Sequence, residues 1–156
     1  MSEQFFGNLF LGGGTSMLTS VQQLPVWMTV MGKDLVLVSV SQLLEANENS
    51  QDFQDFRWNN WTDDVRYGGI KVRANDLELE FCSLEVVSEL RRQYEQPADE
   101  RLFIGMESFE EIQYGRLLLG ILLLENRGSC AGRGNVEFFS DGRHSQDDRF
   151  VFVRPR

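Results

Sequence analysis

Residues 116–125 read RLLLGILLLE, from Arg116 to Glu125, and this stretch decides the fold. Seven apolar side chains run together with only Gly120 among them, and no other segment demands burial so completely. As a strand, Leu117, Leu119, Ile121 and Leu123 point to one face, and Leu118, Leu122 and Leu124 to the other. Both faces are apolar, so the strand is expected to be central and covered on both sides. Gly120 then marks a bulge or a close approach by another element. The competing helix would extend from Ser108, with Ser108 and Glu111 at capping-box spacing and Gly128 as a stop. Its interior glycines, Gly115 and Gly120, each cost about 1 kcal/mol against alanine. The expectation is therefore a strand over 116–125, preceded by a short helix from Ser108 to Tyr114. A membrane span needs about 20 apolar residues, so this run is too short to be one.

Working outward, residues 24–40 change pattern from strand to turn to strand. Val26, Met28 and Val30 alternate with Trp27, Thr29 and Met31. Gly32-Lys33-Asp34 has hairpin-loop length, and Leu35–Val40 is dense in Val and Leu. A short helical turn follows over Ser41–Asn47. Residues 48–64 read as polar and irregular. Gly68-Gly69 opens a second expected hairpin, with strands Ile70–Ala74 and Leu77–Cys82 joined by Asn75-Asp76. Ser83 caps a helix in which Leu84, Val87, Leu90, Arg91 and Tyr94 keep helical spacing, and Pro97 ends it. Leu102–Gly105, Val136–Phe139 and Phe150–Val153 read as further strands. No internal repeat or dividing linker is visible.

These elements predict one α+β domain over residues 15–156. Its mainly antiparallel sheet has about six to eight strands, with one principal helix, 83–96, packed on it. Leu35–Val40 and Leu77–Phe81 are expected to share its core. Residues 1–14 form an apolar segment with Phe5, Phe6, Leu9 and Phe10 on one helical face, followed by a triglycine hinge at Gly12–Gly14. They read as a terminal element or as an arm that docks on a second copy or a partner.

The chain has 156 residues and a net charge of −9, and its pI is near 4.6. That net charge argues against nonspecific nucleic-acid binding and permits a basic protein partner. Of the 15 basic residues, all but Lys33 and Lys71 are arginine. Two cysteines, Cys82 and Cys130, are too few for a disulfide framework. The N-terminus lacks a basic n-region, so a cytoplasmic location is the expectation.

No sequence signature for catalysis, metal or nucleotide binding stands out. The loop from Gly128 to Gly134 has three glycines but no Lys-Ser/Thr of a P-loop and no G-x-G-x-x-G. Cys130 could act as a nucleophile with His144 as base and Asp141 orienting it, but His144 is expected in an exposed loop. One histidine is too few for a Cys/His zinc site, and Asp52, Asp55 and Asp63 lack calcium-loop spacing. No cofactor or metal is therefore expected. Adjacent acids such as Asp63-Asp64, Glu110-Glu111 and Asp147-Asp148 read first as solvated charge.

The strongest departure from background is residues 45–64, EANENSQDFQDFRWNNWTDD. Six acids and one base, Arg57, give it a net charge of −5, and four aromatics sit inside it. Residues 126–156 carry net +2. Aromatics supply contact area and carboxylates steer a basic partner, so Asp52, Asp55, Trp58, Trp61, Asp63 and Asp64 are the candidate partner-binding residues. The bland alternative is a surface loop whose aromatics fold back onto the core. The leading functional expectation is a non-catalytic acidic binding module of inhibitor or immunity type that blocks a basic target. A DNA mimic, with carboxylates where phosphates would bind, is a special case. The alternatives are an assembly subunit joined through the N-terminal arm, which allows a homo-oligomer, and a small enzyme using Cys130 or a carboxylate pair.

Overall fold

The computed structural model describes residues 24–44, 51–128 and 133–156. The apolar segment 1–14, residues 45–50 and Cys130 lie outside them.

Arg116–Glu125 is a strand along its whole length, β6 in chain order. Before it come β1 (Met28–Val30), β2 (Lys33–Ser39), β3 (Val65–Arg66), β4 (Arg101–Ile104) and β5 (Phe109–Gln113). After it come β7 (Asn135–Phe139), β8 (Arg143–His144) and β9 (Arg149–Arg154). Four helices are described: α1 (Val40–Leu43), α2 (Gln51–Phe56), α3 (Tyr67–Asp76) and α4 (Leu84–Gln93).

Seven strands form one sheet, in the order β1-β2-β9-β4-β6-β5 with β7 also on β6; β3 and β8 form a separate short ladder. Every pairing is antiparallel except β4 with β9. The fold is α+β, as its strand and helix patterns predict. Phe150, Val151, Phe152 and Val153 are all buried, as expected of a central strand covered on both faces. Leu35, Val36, Val38, Leu77 and Leu79 join the same core.

β6 is central over only half its length. Ile121–Glu125 pairs with β7, and its last three residues also pair with β4. Arg116–Gly120 pairs with β5 alone among the described strands. This outer half, with β5, forms a hairpin that leaves Ile112, Tyr114, Leu117 and Leu119 exposed. The expectation of burial on both faces therefore holds for Ile121, Leu123 and Leu124 and fails for Leu117 and Leu119. Gly120 sits at the change-over. A Cβ there would lie 2.2 Å from the Phe139 carbonyl oxygen, so glycine permits the close approach of β7.

Several expected elements are corrected. Ser108–Tyr114 is not a helix. Phe109–Gln113 is β5, held by backbone pairing to β6 that the capping-box spacing of Ser108 and Glu111 does not reveal. The second hairpin is absent: residues 67–76 form α3, which buries Tyr67, Gly69, Ile70 and Ala74. Gly69 lies against α2, where a Cβ would meet the Phe56 ring at 2.2 Å. Leu77-Glu78 is the turn that ends α3, with Glu78 at φ +62°; Leu79–Cys82 makes a single bridge, Glu80 to Val153, and Phe81 is partly exposed rather than core. Residues 48–64 hold a helix, α2. The first hairpin forms, with its turn at Met31-Gly32, one residue before the expected loop. The Ser83 side chain caps α4 by accepting the Val86 N–H, as expected, but Leu84 is exposed while Val86, Val87 and Leu90 are buried.

Candidate functional site

Arg57–Asp64 is a loop closed by its own hydrogen bonds. Trp58 N–H donates to the Asp64 carbonyl at 2.7 Å, and the Arg57 guanidinium donates to the Thr62 carbonyl at 3.1 Å. The Asn59 side-chain oxygen accepts the Trp61 and Thr62 amides at 2.7 and 3.1 Å, a local turn that asparagine supplies. The loop holds Trp61 in solvent, 91% exposed.

The candidate partner-binding residues divide by exposure. Asp55, Trp61 and Asp63 are exposed; Asp52, Trp58 and Asp64 are half-buried. Asp64 is engaged by Arg143 at 3.4 Å, at the protein surface. Trp58 turns to a cavity of about 300 Å³, which it shares with Tyr67, Lys71, Leu119, Phe139 and His144. The cavity is assembled from the closed loop, the start of α3, the β5–β6 hairpin and the β7–β8 connection.

His144 is buried, contrary to the expectation of an exposed loop, because β8 pairs with β3 and its ring enters an aromatic cluster. Phe103 and Phe150 meet it edge-on, with centroids at 4.6 and 4.9 Å. Its Nδ1 lies 3.3 Å from Asp148 Oδ2, so the orienting acid is Asp148 and not Asp141. The Ser145 amide and hydroxyl also donate to Asp148, each at 3.1 Å. Burial pushes the Asp148 pKa up, but these hydrogen bonds outweigh burial and hold it below the usual carboxylate range. An ionised Asp148 only accepts, so Nδ1 carries a proton toward it; in the neutral ring Nε2 then presents a lone pair. Nε2 is buried with no hydrogen-bond partner among the described residues. Reasoning from sequence missed this site. Its one local signal is the four-residue spacing of His144 and Asp148 around Ser145.

The other chemical candidates fare as follows. Cys82 is buried and donates to the Val151 carbonyl at 3.5 Å; burial pushes its thiol up to about 12. None of the three named acid pairs forms a two-carboxylate site. Asp64 bridges Arg143, Asp148 faces His144, and Glu110 and Glu111 point to opposite faces of β5. Among the described residues, no group of three His, Cys, Asp or Glu is placed to hold a metal ion. No described helix is long and apolar enough to cross a membrane. Comparison with protein-family models, curated proteins and solved structures finds no match to the chain.

Proposed function

We propose that this chain is a non-catalytic binding module for a basic protein, of the inhibitor or immunity kind. The observation that supports this reading is Trp61, bare to solvent on a loop whose backbone is already fixed. A large aromatic on a backbone already fixed needs little further backbone ordering when a partner covers it, which is the character of an interface anchor. Asp55 and Asp63 stand exposed nearby in sequence, and their charge suits a basic target. Carboxylates in such a rim can occupy the places of nucleic-acid phosphates, so a nucleic-acid-binding protein fits as the target. A cytoplasmic setting goes with this reading.

A second reading, an assembly subunit, is favoured by the hairpin. Ile112, Leu117 and Leu119 lie on one exposed face of β5–β6, because Ile112 pairs directly with Leu117. Apolar faces of this kind are commonly covered by another chain.

The test is affinity capture from the source cell with the wild-type chain and with Trp61→Ala. A basic protein held by the wild type, released by salt and lost with Trp61→Ala at unchanged melting temperature is the expected result. Capture insensitive to both salt and Trp61→Ala would refute the anchor. Mass that rises with protein concentration and falls with Leu117→Glu would move the assembly reading ahead.

A further inference from the structure

We propose that the cavity between the Trp58 loop, the start of α3 and the β5–β6 hairpin binds a small planar organic anion carrying a hydrogen-bond donor, of the hydroxyaryl-carboxylate class. Three features of its wall define the ligand. The first is the N-terminus of α3, a ten-residue helix whose Tyr67 and Gly68 line the cavity. Its N-cap is Arg66, which supplies no side-chain acceptor to the first-turn amides; the Tyr67 N–H donates to the Gly142 carbonyl at 3.1 Å, so Gly68 is the residue that presents the helix end to the cavity. Helix N-termini with uncapped N–H groups attract anions, and the missing side chain of Gly68 leaves open space above the backbone.

Two cations reinforce this end. Arg66 lines the cavity, and its guanidinium makes one long hydrogen bond, 3.4 Å to the Trp58 carbonyl. Lys71, one turn along α3, also lines the cavity. It bridges Glu107 at 3.2 Å, but that carboxylate is largely exposed, so the bridge is weak and exchangeable.

The second feature is His144. Its ring is part of the wall, Asp148 holds a proton on Nδ1, and in the neutral ring Nε2 is a buried acceptor with no donor among the described residues. An unmet buried acceptor costs free energy that a ligand O–H would recover. The third is the apolar remainder, Trp58, Leu119, Ile121 and Phe139, which suits the faces of one ring. The carboxylate is thus placed at α3 and the hydroxyl at His144. Tyr67 is not available as the donor, because its hydroxyl donates to the Met106 carbonyl at 2.6 Å and accepts the Met106 amide at 3.0 Å.

His144 is the only histidine in the chain, so its ring resonances report the site without overlap. The experiment titrates the full chain with 4-hydroxybenzoate, benzoate and phenol, following those resonances by NMR. Saturable shifts with 4-hydroxybenzoate are expected. Benzoate, which leaves Nε2 unmet, and phenol, which lacks the anion, should each bind about tenfold more weakly. Arg66→Gln, at an exposed position, should weaken 4-hydroxybenzoate without lowering the melting temperature. Absence of saturation with 4-hydroxybenzoate overturns the proposal. So does equal affinity for all three probes, or an Arg66→Gln variant that binds 4-hydroxybenzoate as the wild type does. The partner-capture experiment reads Trp61 and this one reads His144, so either can fail alone.

Discussion

Leu119 and Ile121 project from the same face of β6, two residues apart, yet Leu119 is 60% exposed and Ile121 only 2%. The sheet's edge of burial passes between them. Ile121→Asp places a carboxylate in the core with no partner. That costs several kcal/mol against a total stability of ~5–15 kcal/mol, so this variant should not fold. Leu119→Asp puts the same group in water and should shift stability by about 0.5 kcal/mol or less. Circular dichroism melts of the two variants check the contrast. A folded, cooperatively melting Ile121→Asp protein would refute the placement.

Gly120→Ala tests the close approach of β7. The added methyl meets a backbone carbonyl, which cannot rotate away, so the strands must part. Overpacking of this kind commonly costs ~1–3 kcal/mol. A Gly32→Ala change is no substitute control, because Gly32 has positive φ in a turn. Gly68→Ala is the better one: Gly68 lies in a helix with open space around it, and alanine there should be neutral or stabilising.

The two loop tryptophans should separate. Trp61→Ala is expected to leave the melting temperature unchanged and to weaken partner binding by ~2 kcal/mol or more, mostly through faster dissociation. Trp58→Ala removes a wall of the cavity and should lower stability as well. Equal thermal destabilisation by both variants would mean that Trp61 is covered in solution.

Asp55→Asn with Asp63→Asn changes charge at exposed positions. The double variant should associate more slowly with a basic partner and show a flatter salt dependence, with a small change in dissociation rate. Asp64→Asn differs in kind, because it gives up the contact with Arg143. Stopped-flow association at two salt concentrations separates these effects. A wild-type association rate in the double variant would place the acids away from the interface.

Cys82 predicts a loss of stability at alkaline pH. Its thiol is raised by burial from 9.0 to about 12, so folding favours the protonated form. That contribution is complete below the unfolded value and disappears as pH climbs from 9.0 to about 12. Tyr94, pushed up to about 12 by burial and by its hydrogen bond to Glu100, adds a slope of the same sign at higher pH. Denaturant midpoints measured upward from neutral pH should fall for the Cys130→Ser background. They should fall less once Cys82→Ala is added. Identical slopes in the two backgrounds would show that the thiol ionises as freely folded as unfolded.

Much of the sheet was legible because its strands carry dense apolar runs or strict alternation. Arg116–Glu125, the hairpin around Met31-Gly32, Phe150–Val153 and the Ser83 cap could be read that way. The role of Gly120 followed from its position inside a strand. α3 was not legible: Gly68-Gly69 and Asn75-Asp76 resemble turn signals, and its buried face, Tyr67, Ile70 and Ala74, emerges only against α2 and Phe150. Tyr67 stacks on Phe150 with centroids 5.6 Å apart. β5 was missed because its conformation is imposed by β6. The cavity was hidden for the same reason, since Trp58, Lys71, Leu119 and His144 meet only through tertiary contacts. Trp61 could be singled out from its acidic surroundings, though its exposure could not.

The place of β9 bears on how the chain reaches this state. Leu37 pairs with Val151 and Phe103 with Phe150, so one strand joins the β1–β2 hairpin to the β4–β6 side. The β2 contact is among the most distant in sequence, and the β4 contact is the one parallel pairing among the described strands. Closing such separations carries a large loop entropy before any contact rewards it, which slows the rate-limiting step. Until β9 docks, β2 and β4 each present an unzipped edge bordered by Val, Leu and Phe. Refolding should therefore be slow, and its yield should fall as concentration rises, because a neighbouring molecule's strand can take β9's place first.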